Sequence, residues 1–512
     1  MAGPDAWQRP KTAVYHLRSG GATPEWSDFA GTPDGREFTH RFTLDQPPSG
    51  EATILLFQDN VKHRWAVEVN GKKIGELELQ EQPLVSTFTV PAGTLVAGTN
   101  TLRVVPPRET EDIRIGWVGY ELRPPARALG ECTLEVSVLE TGRGLVPARV
   151  TVVDDAREAL AALHVEPDPR LAARPGVVYA SGGHAAIRLQ AGRYTVTASR
   201  GFEYGLAQRT VVLEPGECRA LALEIRREVP TPRLVAADVH VHTRELSGHG
   251  DSSVAERLVT LAGEAVELAV ATEHNRHASY VAAAQQSGLN RHFTAVDGNE
   301  VTTPAGHFNV FPVRPGAPVP DAKETQWPAL MTSIAASGAE VVILNHPRSV
   351  HSKFVPFGPD HFDPATGENR RGFPFAFHAI ELVNSGALQT DFRVVLRDWF
   401  ALLNSGLRVT AVGASDSHDV SRYIVGQGRT YVACKDDDPG AIDVPEAVRA
   451  IREGRASVSL GLLTTIRVNE RAGIGDLATR LPDEVPVAID VWGPSWTAVD
   501  RVELYGNGLL VQ

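Results

Sequence analysis

The chain has 512 residues and a net charge of −12, and 42% of its residues are hydrophobic while 22% are charged. This composition is that of an ordinary soluble protein, and the length predicts roughly three or four domains rather than one core. The acidic balance argues against a general nucleic-acid or anionic-membrane surface.

Neither a membrane span nor a disulfide framework is expected. No apolar run is long enough to cross a bilayer, and the first residues lack the apolar core of a secretory signal. The three cysteines, Cys132, Cys218 and Cys434, share no metal-ligand spacing. We therefore expect a cytoplasmic protein without nucleic-acid or membrane partners, and its oligomeric state is left open.

Residues 1–125 are predicted to form a β-sandwich. Short alternating strands are separated by Pro- and Gly-bearing turns, and Asn70-Gly71 is a type I′ hairpin signal. The pattern resembles the galactose-binding-like jelly rolls that accompany many hydrolases. Carbohydrate binding and a structural or docking role both remain open for it.

A second β-sandwich is predicted for residues 126–229, after the boundary at Pro124-Pro125. Its strands resemble the small prealbumin-like sandwich of carboxypeptidase regulatory domains, and it contains no constellation of chemical groups. The run Pro230-Thr231-Pro232 restricts the backbone and predicts a linker.

From residue 230 to 465 strands alternate with helices, which predicts an α/β domain with a parallel sheet, open or closed into a barrel. Ser253 and Glu256 form a capping box that should open one helix, and another should run from about Pro328 to Gly338. Residues 466–512 are predicted to be a short β-rich segment. Its final hairpin strand stops after four residues, so we expect this segment to be incomplete.

A pair of histidines lies on the first strand of this domain. His240 and His242 alternate with Val239 and Val241, so both imidazoles should point to one side of the strand. Such a pair is a potential metal-binding element. Taken alone, the pair is better explained as part of a partly buried strand whose histidines are hydrogen-bonded, because the motif by itself is weak.

Further polar residues follow successive apolar strands at their C-terminal ends. In α/β barrels this is the rim at which active sites are built. A random scatter of histidines would not favour one end of successive strands. The residues concerned are His274, Glu300, His346, Asp416 and His418.

These motifs, taken in order, resemble the polymerase and histidinol phosphatase (PHP) superfamily of metallohydrolases. They are His240-x-His242, Thr272-Glu273-His274-Asn275, Gly298-Asn299-Glu300, Gly306-His307, Asn345-His346-Pro347 and Ala414-Ser415-Asp416-Ser417-His418. The β-rich flanks and Thr-Glu-His-Asn look most like the carbaryl-hydrolase branch. The resemblance implies a distorted (β/α)7 barrel with two or three divalent metals at its rim.

The resemblance also implies a ligand set. His240 and His242 would bind one metal with Glu300 and Asp416, and Glu300 would bridge to a second metal held by His307 and His346. His274 and His418 would hold a third metal. Either His249 or Asp251 would complete that third site, with His249 favoured because His249-Gly-Asp-Ser-Ser leads into the helix.

The expected chemistry is hydrolysis by a metal-activated water. Imidazole and carboxylate ligands suit Zn, Mn or Fe and do not select among them. No serine lies in a Gly-x-Ser-x-Gly elbow, so no acyl-enzyme is expected. Glu273 and Asp238 are predicted to orient ligands rather than to bind metal.

Three features near the rim bear on the substrate. The segment between His346 and His378 is rich in phenylalanine (Phe354, Phe357, Phe362, Phe373, Phe375 and Phe377) and should either form a lid over an apolar pocket or anchor the loop to the barrel. Arg348 and Arg422 would either contact a substrate oxygen or form salt bridges.

The predicted function is hydrolysis of an ester-type bond in a small molecule. The bond is either a phosphoester or a carboxylic or carbamate aryl ester. The alternative is a non-catalytic protein that binds carbohydrate or a surface and carries a vestigial barrel. A nuclease role is disfavoured because no adjoining basic groove is evident.

Overall fold

The computed structural model describes residues 14–351, 353–372, 375–387 and 391–512, which form a strand-rich mixed α/β structure. The first strands are β1 (Tyr15–Arg18), β2 (Phe38–Leu44), β3 (Ala52–Asp59), β4 (Ala66–Val69), β5 (Lys72–Glu76), β6 (Leu84–Val90), β7 (Gly98–Val105) and β8 (Asp112–Glu121). They lie in two sheets, in the orders β1-β8-β3-β6 and β2-β7-β4-β5. Side chains from both sheets, among them Ile54, Trp65 and Leu102, form one buried core.

The hairpin predicted at Asn70-Gly71 is confirmed. Val69 pairs with Lys72 across it, and both turn residues have positive φ (51° and 78°), as a type I′ turn requires.

The next region begins with α1 (Pro125–Ala128) and continues almost entirely as strands. These are β9 (Cys132–Glu140), β10 (Gly144–Leu145), β11 (Ala148–Asp154), β12 (Ala159–Leu160), β13 (Leu171–Arg174), β14 (Val177–Ala180), β15 (His184–Leu189), β16 (Gly192–Ser199), β17 (Ala207–Leu213) and β18 (Cys218–Ile225). They surround a second core that includes Leu134, Val150 and Val196.

One β-bridge joins these two regions. Leu160 of β12 pairs in parallel with Leu84 of β6, so a single ten-stranded sheet runs from one region into the other. The boundary predicted near residue 125 is crossed by this pairing, and independent domains at that point stay a prediction.

The region that carries the candidate ligands alternates between strands and helices. Its elements are β19 (Leu234–Val241), α2 (Arg244–Ser247), α3 (Val254–Gly263), β20 (Leu268–Ala271), α4 (Val281–Ser287), β21 (Thr294–Asp297), β22 (Asn299–Thr303), β23 (Gly306–Phe311), α5 (Trp327–Ala336), β24 (Val341–Leu344), β25 (Phe362–Asp363), β26 (Glu368–Asn369), β27 (Ala379–Asn384), α6 (Phe392–Asn404), β28 (Thr410–Ala414), β29 (Arg429–Ala433), α7 (Val444–Arg452) and β30 (Ala456–Ser459). The capping box at Ser253 and Glu256 is confirmed. The helix expected from about Pro328 is α5.

These strands form two five-stranded sheets, in the orders β21-β20-β19-β29-β30 and β22-β23-β24-β27-β28. Pairing is parallel along β21-β20-β19 and along β24-β27-β28. It is antiparallel where β23 joins β22 and β24 and where β29 joins β19 and β30, so the expectation of a parallel sheet is only partly met. The direct turn from β22 into β23 leaves no room for a helix between them.

The two sheets meet around one core and at two edges. Val239, Ile343 and Val412 belong to the same buried cluster although they come from both sheets. Parallel bridges between Val241 and Ser417, and between His274 and Glu300, link the sheets where several strands end. The candidate ligands lie beside these bridges.

The last strands are β31 (Leu463–Val468), β32 (Val487–Trp492), β33 (Tyr505–Gly506) and β34 (Leu509–Leu510). The expected final hairpin is present, since Tyr505 pairs with Leu510. Among the residues described, no helix has the length and apolar character to span a membrane.

Candidate metal centre

The site begins at the end of β19, where His240 and His242 are fully buried with ring centroids 4.9 Å apart. The alternating valines point to the opposite side, into the hydrophobic cores. The loop after β28 continues this edge, because Asp416 N–H donates to His240 O and His242 N–H donates to Ser417 O. This pairing brings the carboxylate of Asp416 to the two imidazoles.

His240 is held by a carboxylate that the sequence analysis did not single out. Its Nδ1–H donates to Glu381 Oε1 over 2.5 Å, and Glu381 Oε2 accepts from His346 N–H over 2.7 Å. The Nε2 atom of His240 lies 3.3 Å from both Glu300 Oε1 and Asp416 Oδ1. Burial alone would lower the pKa of His240, but Asp416, Glu381 and Glu300 raise that pKa well above its ordinary value.

His242 is oriented through a serine. Its Nδ1–H donates to Ser247 Oγ over 3.0 Å, and Ser247 Oγ–H donates to Glu273 Oε2. The Nε2 atom lies 3.1 Å from Asp416 Oδ1. Burial and the neighbouring His418 lower the pKa of His242 well below its ordinary value. Glu273 therefore orients the His242 imidazole through Ser247 and not by direct contact.

Glu300 is the carboxylate shared by the histidines of the site. One oxygen lies 2.5 Å from His274 Nδ1, and the other lies 3.1 Å from His307 Nδ1 and 3.7 Å from His346 Nε2. Burial would raise the pKa of Glu300, yet the charges of His240 and His307 hold it well below the ordinary value. The group is therefore an anion between several imidazoles.

A third group of histidines lies on the other side of His242. Donor atoms of His242, His274 and His418 fall within 4.8 Å of one another. His418 Nδ1–H donates to Asp416 O, and its buried Nε2 has no partner within the described ranges. His249 joins this group by stacking, with its ring 4.3 Å from that of His418.

The two candidates for the third site, His249 and Asp251, have different neighbours in the structure. Asp251 accepts hydrogen bonds from Arg174 of β13 at 2.9 and 3.0 Å, so its carboxylate is directed towards the β-rich region. Gly250, which lies between His249 and Asp251 in the sequence, has a φ of +82°, and a Cβ there would lie 2.5 Å from His418 O. Only glycine allows this loop to lie so close to His418.

Several buried ring nitrogens of the site have no hydrogen-bond partner in the part of the chain that the structure describes. Buried polar atoms are normally paired, so such a set on one wall of a site needs a ligand. Nitrogen lone pairs beside carboxylate oxygens are the donor set that divalent metals of the Zn, Mn or Fe type prefer. The atoms are Nε2 of His240, His242, His351 and His418, and Nδ1 of His346.

Both arginines considered as substrate contacts are already engaged by carboxylates. Arg348 binds the buried Asp398 through two hydrogen bonds of 2.6 and 2.7 Å. Arg422 binds Glu81, which lies between β5 and β6. Of the two roles considered for Arg348 and Arg422, salt-bridge formation is the one that these contacts match.

The phenylalanines after His346 anchor their loop instead of lining a pocket. Phe357 and Phe362 are fully buried and, with Phe377, belong to the core that also holds Trp327. Phe354 stacks on His361 with ring centroids 4.1 Å apart. Phe373 lies outside the described residues. The lid hypothesis is therefore replaced by the anchor alternative for the phenylalanines that are described.

Sequence reasoning missed several residues that shape the site. Glu381 and Asn384 of β27 lie against His240 and Asp416, and Asn345 Nδ2 donates to Glu300 Oε1 over 3.0 Å. His351 lies beside His346. A lone carboxylate inside the apolar run 379–383 was the available signal for Glu381.

The comparisons with known proteins are weak. No protein-family model and no curated protein matches the chain. Among solved structures, it is similar to a two-domain protein from Bacteroides vulgatus containing a predicted PHP-like metal-dependent phosphoesterase, at 18% identity and TM-score 0.34 over 46% of this chain and 68% of that one.

Other similar structures differ in kind. The Bacillus anthracis TIE protein is 12% identical at TM-score 0.15, with 42% of this chain and 43% of that chain covered. A β-glucuronidase from Faecalibacterium prausnitzii is 13% identical at TM-score 0.15, with 51% and 50% covered. These likenesses assign no family. The carbaryl-hydrolase branch stays a prediction, and function has to be derived from the site.

Proposed function

We propose that the chain is a divalent-metal-dependent hydrolase of ester-type bonds, with residues 230–465 arranged as the distorted (β/α)7 barrel of the PHP superfamily. The observation that carries the proposal is the set of buried ring nitrogens that make no hydrogen bond with the described residues and that lie around Glu300 and Asp416. The core common to both sheets and the two bridges at their edges support the barrel.

The chain's own residues fix the direction in which each imidazole presents its lone pair. Glu381 and Ser247 accept the Nδ1 protons of His240 and His242, so both Nε2 atoms face Asp416. Such partners set the tautomer and raise the basicity of a ligating histidine. Glu300 contacts histidines on both sides and is placed to bridge two positions.

Two or three divalent ions would fit these groups, with His240, His242 and Asp416 at one position. His307 and His346 would hold a second, and His274, His418 and His249 a third. Bound there, the ions would supply Lewis acidity and a nucleophile at neutral pH, since coordination lowers the pKa of water from 15.7 to about 7. Zn, Mn and Fe all suit this donor set.

A phosphoester is the bond class that the site favours. Glu300, Asp416 and Glu381, which contact the imidazoles of the site, carry three negative charges against the four or six positive charges of two or three dications, so the loaded site would be positive and would attract an anion. The phenylalanines proposed to receive an aryl group pack into the core, which removes the feature that favoured aryl esters.

The test compares p-nitrophenyl phosphate, bis-p-nitrophenyl phosphate and p-nitrophenyl acetate after chelation and reloading with Mn or Zn. We expect metal-dependent turnover that is fastest on a phosphoester and is lost in His240→Ala. His361→Ala is the matched control, since this histidine lies outside the cluster and stacks on Phe354. Full metal occupancy without turnover of any ester would refute the proposal, and absence of bound metal would favour the non-catalytic alternative.

A further inference from the structure

We propose that His351 is a third imidazole ligand at the position formed by His307 and His346. The inference rests on the proposed function, because it concerns the same cluster. It adds a ligand from the irregular loop after β24, a segment to which no metal role was given by motif or resemblance.

The distances place His351 in the cluster. Donor atoms of His307, His346 and His351 all lie within 4.8 Å of one another. The ring of His351 lies 4.1 Å from that of His307 and 5.0 Å from that of His346. Glu300 Oε1 lies 3.1 Å from His307 Nδ1, so the position would offer three nitrogen ligands and one oxygen ligand.

The burial of His351 favours a ligand over a packing residue. Its exposed fraction is 7%, and its buried Nε2 has no hydrogen-bond partner among the described residues. A histidine that only fills space in a core normally pairs its ring nitrogens. The orphaned Nδ1 of His346 lies in the same cluster, so two unpaired nitrogens belong to one set of three rings.

The backbone holds His351 in place. His351 N–H donates to Phe354 O over 2.6 Å, and Phe354 N–H donates to His351 O over 2.7 Å. Three residues later, Phe357 is fully buried and its N–H donates to Pro347 O over 2.8 Å. The loop is therefore closed on itself around His351, which gives the imidazole a fixed approach to His346.

A bound metal would consequently tie this loop to the ends of β23 and β24. The loop after β24 would then supply a metal ligand and would not act as a lid over the site. Loss of His351 should weaken one metal position and leave the position of His240, His242 and Asp416 intact.

The test measures metal binding by the full chain without reference to turnover. The metal-free protein is titrated with Co(II), and metal content is measured alongside the visible absorption of the bound ion. The variants are His351→Ala and His351→Gln, with His361→Ala as the control from the same loop and His346→Ala as the positive reference. Thermal unfolding of each metal-free variant reports whether it is folded.

We expect both His351 variants to lose affinity for one metal equivalent by at least about tenfold, since even outer partners of a ligand change affinity by about 10–100-fold. The visible absorption of the Co(II) ion bound at that position should change in both His351 variants. The His361→Ala variant should have the same Co(II) affinity and absorption as the native chain. Unchanged affinity and spectrum in folded His351 variants, together with a loss in His346→Ala, would overturn this inference and leave the proposed function standing. A native chain that binds no Co(II) would overturn both.

Discussion

Replacing Glu381 by Gln tests how the protein fixes the first histidine of the metal centre. Glu381 only accepts hydrogen bonds in its buried position: one oxygen accepts from His240 Nδ1–H at 2.5 Å, and the other accepts from His346 N–H at 2.7 Å and Asn384 Nδ2 at 2.9 Å. A glutamine amide presents one acceptor and one donor. In either orientation its NH2 group faces a donor, and the negative charge is gone.

The structure sets the size of the effect. At least one charge-assisted hydrogen bond is lost, which is worth about 2 kcal/mol and corresponds to roughly a 30-fold loss of metal affinity. The measurement is competition with a chromophoric chelator at pH 7. Glu267→Gln is the matched control, because this buried carboxylate accepts from Ala236 N–H at the other end of β19. Affinity within threefold of native in folded Glu381→Gln would refute the orienting role.

Three other predictions concern stability. Burial raises the pKa of Glu267 from 4.5 to about 7, with the charge of Glu203 adding to it, so the folded state holds this proton more tightly than the unfolded state. The unfolding free energy should therefore fall by roughly 3 kcal/mol as the pH rises from 4.5 to about 7. In urea unfolding, Glu267→Gln should abolish this dependence on pH. The same dependence in the variant would contradict the role given to Glu267. Arg429→Met leaves the buried carboxylate of Glu203 without the guanidinium that now contacts both its oxygens at 3.0 and 3.1 Å, and should cost about 3–5 kcal/mol of unfolding free energy. The exposed ion pair of Arg455 with Glu453 is the comparison, and its removal should cost less than about 1 kcal/mol of unfolding free energy. Equal losses of unfolding free energy at the two ion pairs would exclude the buried-charge explanation. Chelation should lower the unfolding free energy by about 2.7 kcal/mol for each metal ion removed, relative to protein with metal at 100 times its dissociation constant. An unfolding midpoint that does not change with metal would speak against a metal centre.

The sequence located much of the site because the relevant residues follow apolar strands directly. His240 and His242 lie at the C-terminal end of β19, Asp416 lies in the loop after β28, and Glu300 is the second residue of β22, three positions after β21 ends. The ends of strands meet at one rim of an α/β domain, and the side chains of these residues converge there. Their convergence could therefore be predicted from order and periodicity, whereas their role as ligands stays a prediction until metal binding is measured.

The features that were missed depend on contacts distant in sequence. Glu381 resembles any polar residue on a strand until His240 is seen against it, although the two are 141 positions apart. His351 follows no motif and enters the cluster only through the closed loop with Phe354. The pairing of Leu84 with Leu160 likewise leaves no local pattern from which to predict it.

The ion pairs of Arg422 with Glu81 and of Arg174 with Asp251 have a consequence for dissecting the molecule. The loops they hold carry His418 and His249, and Asp251 Oδ1 also accepts from Val420 N–H over 2.8 Å. A fragment starting at residue 230 would leave unlike charges unpaired on neighbouring loops around this histidine group. The smallest fragment that keeps both ion pairs therefore includes both β-rich regions.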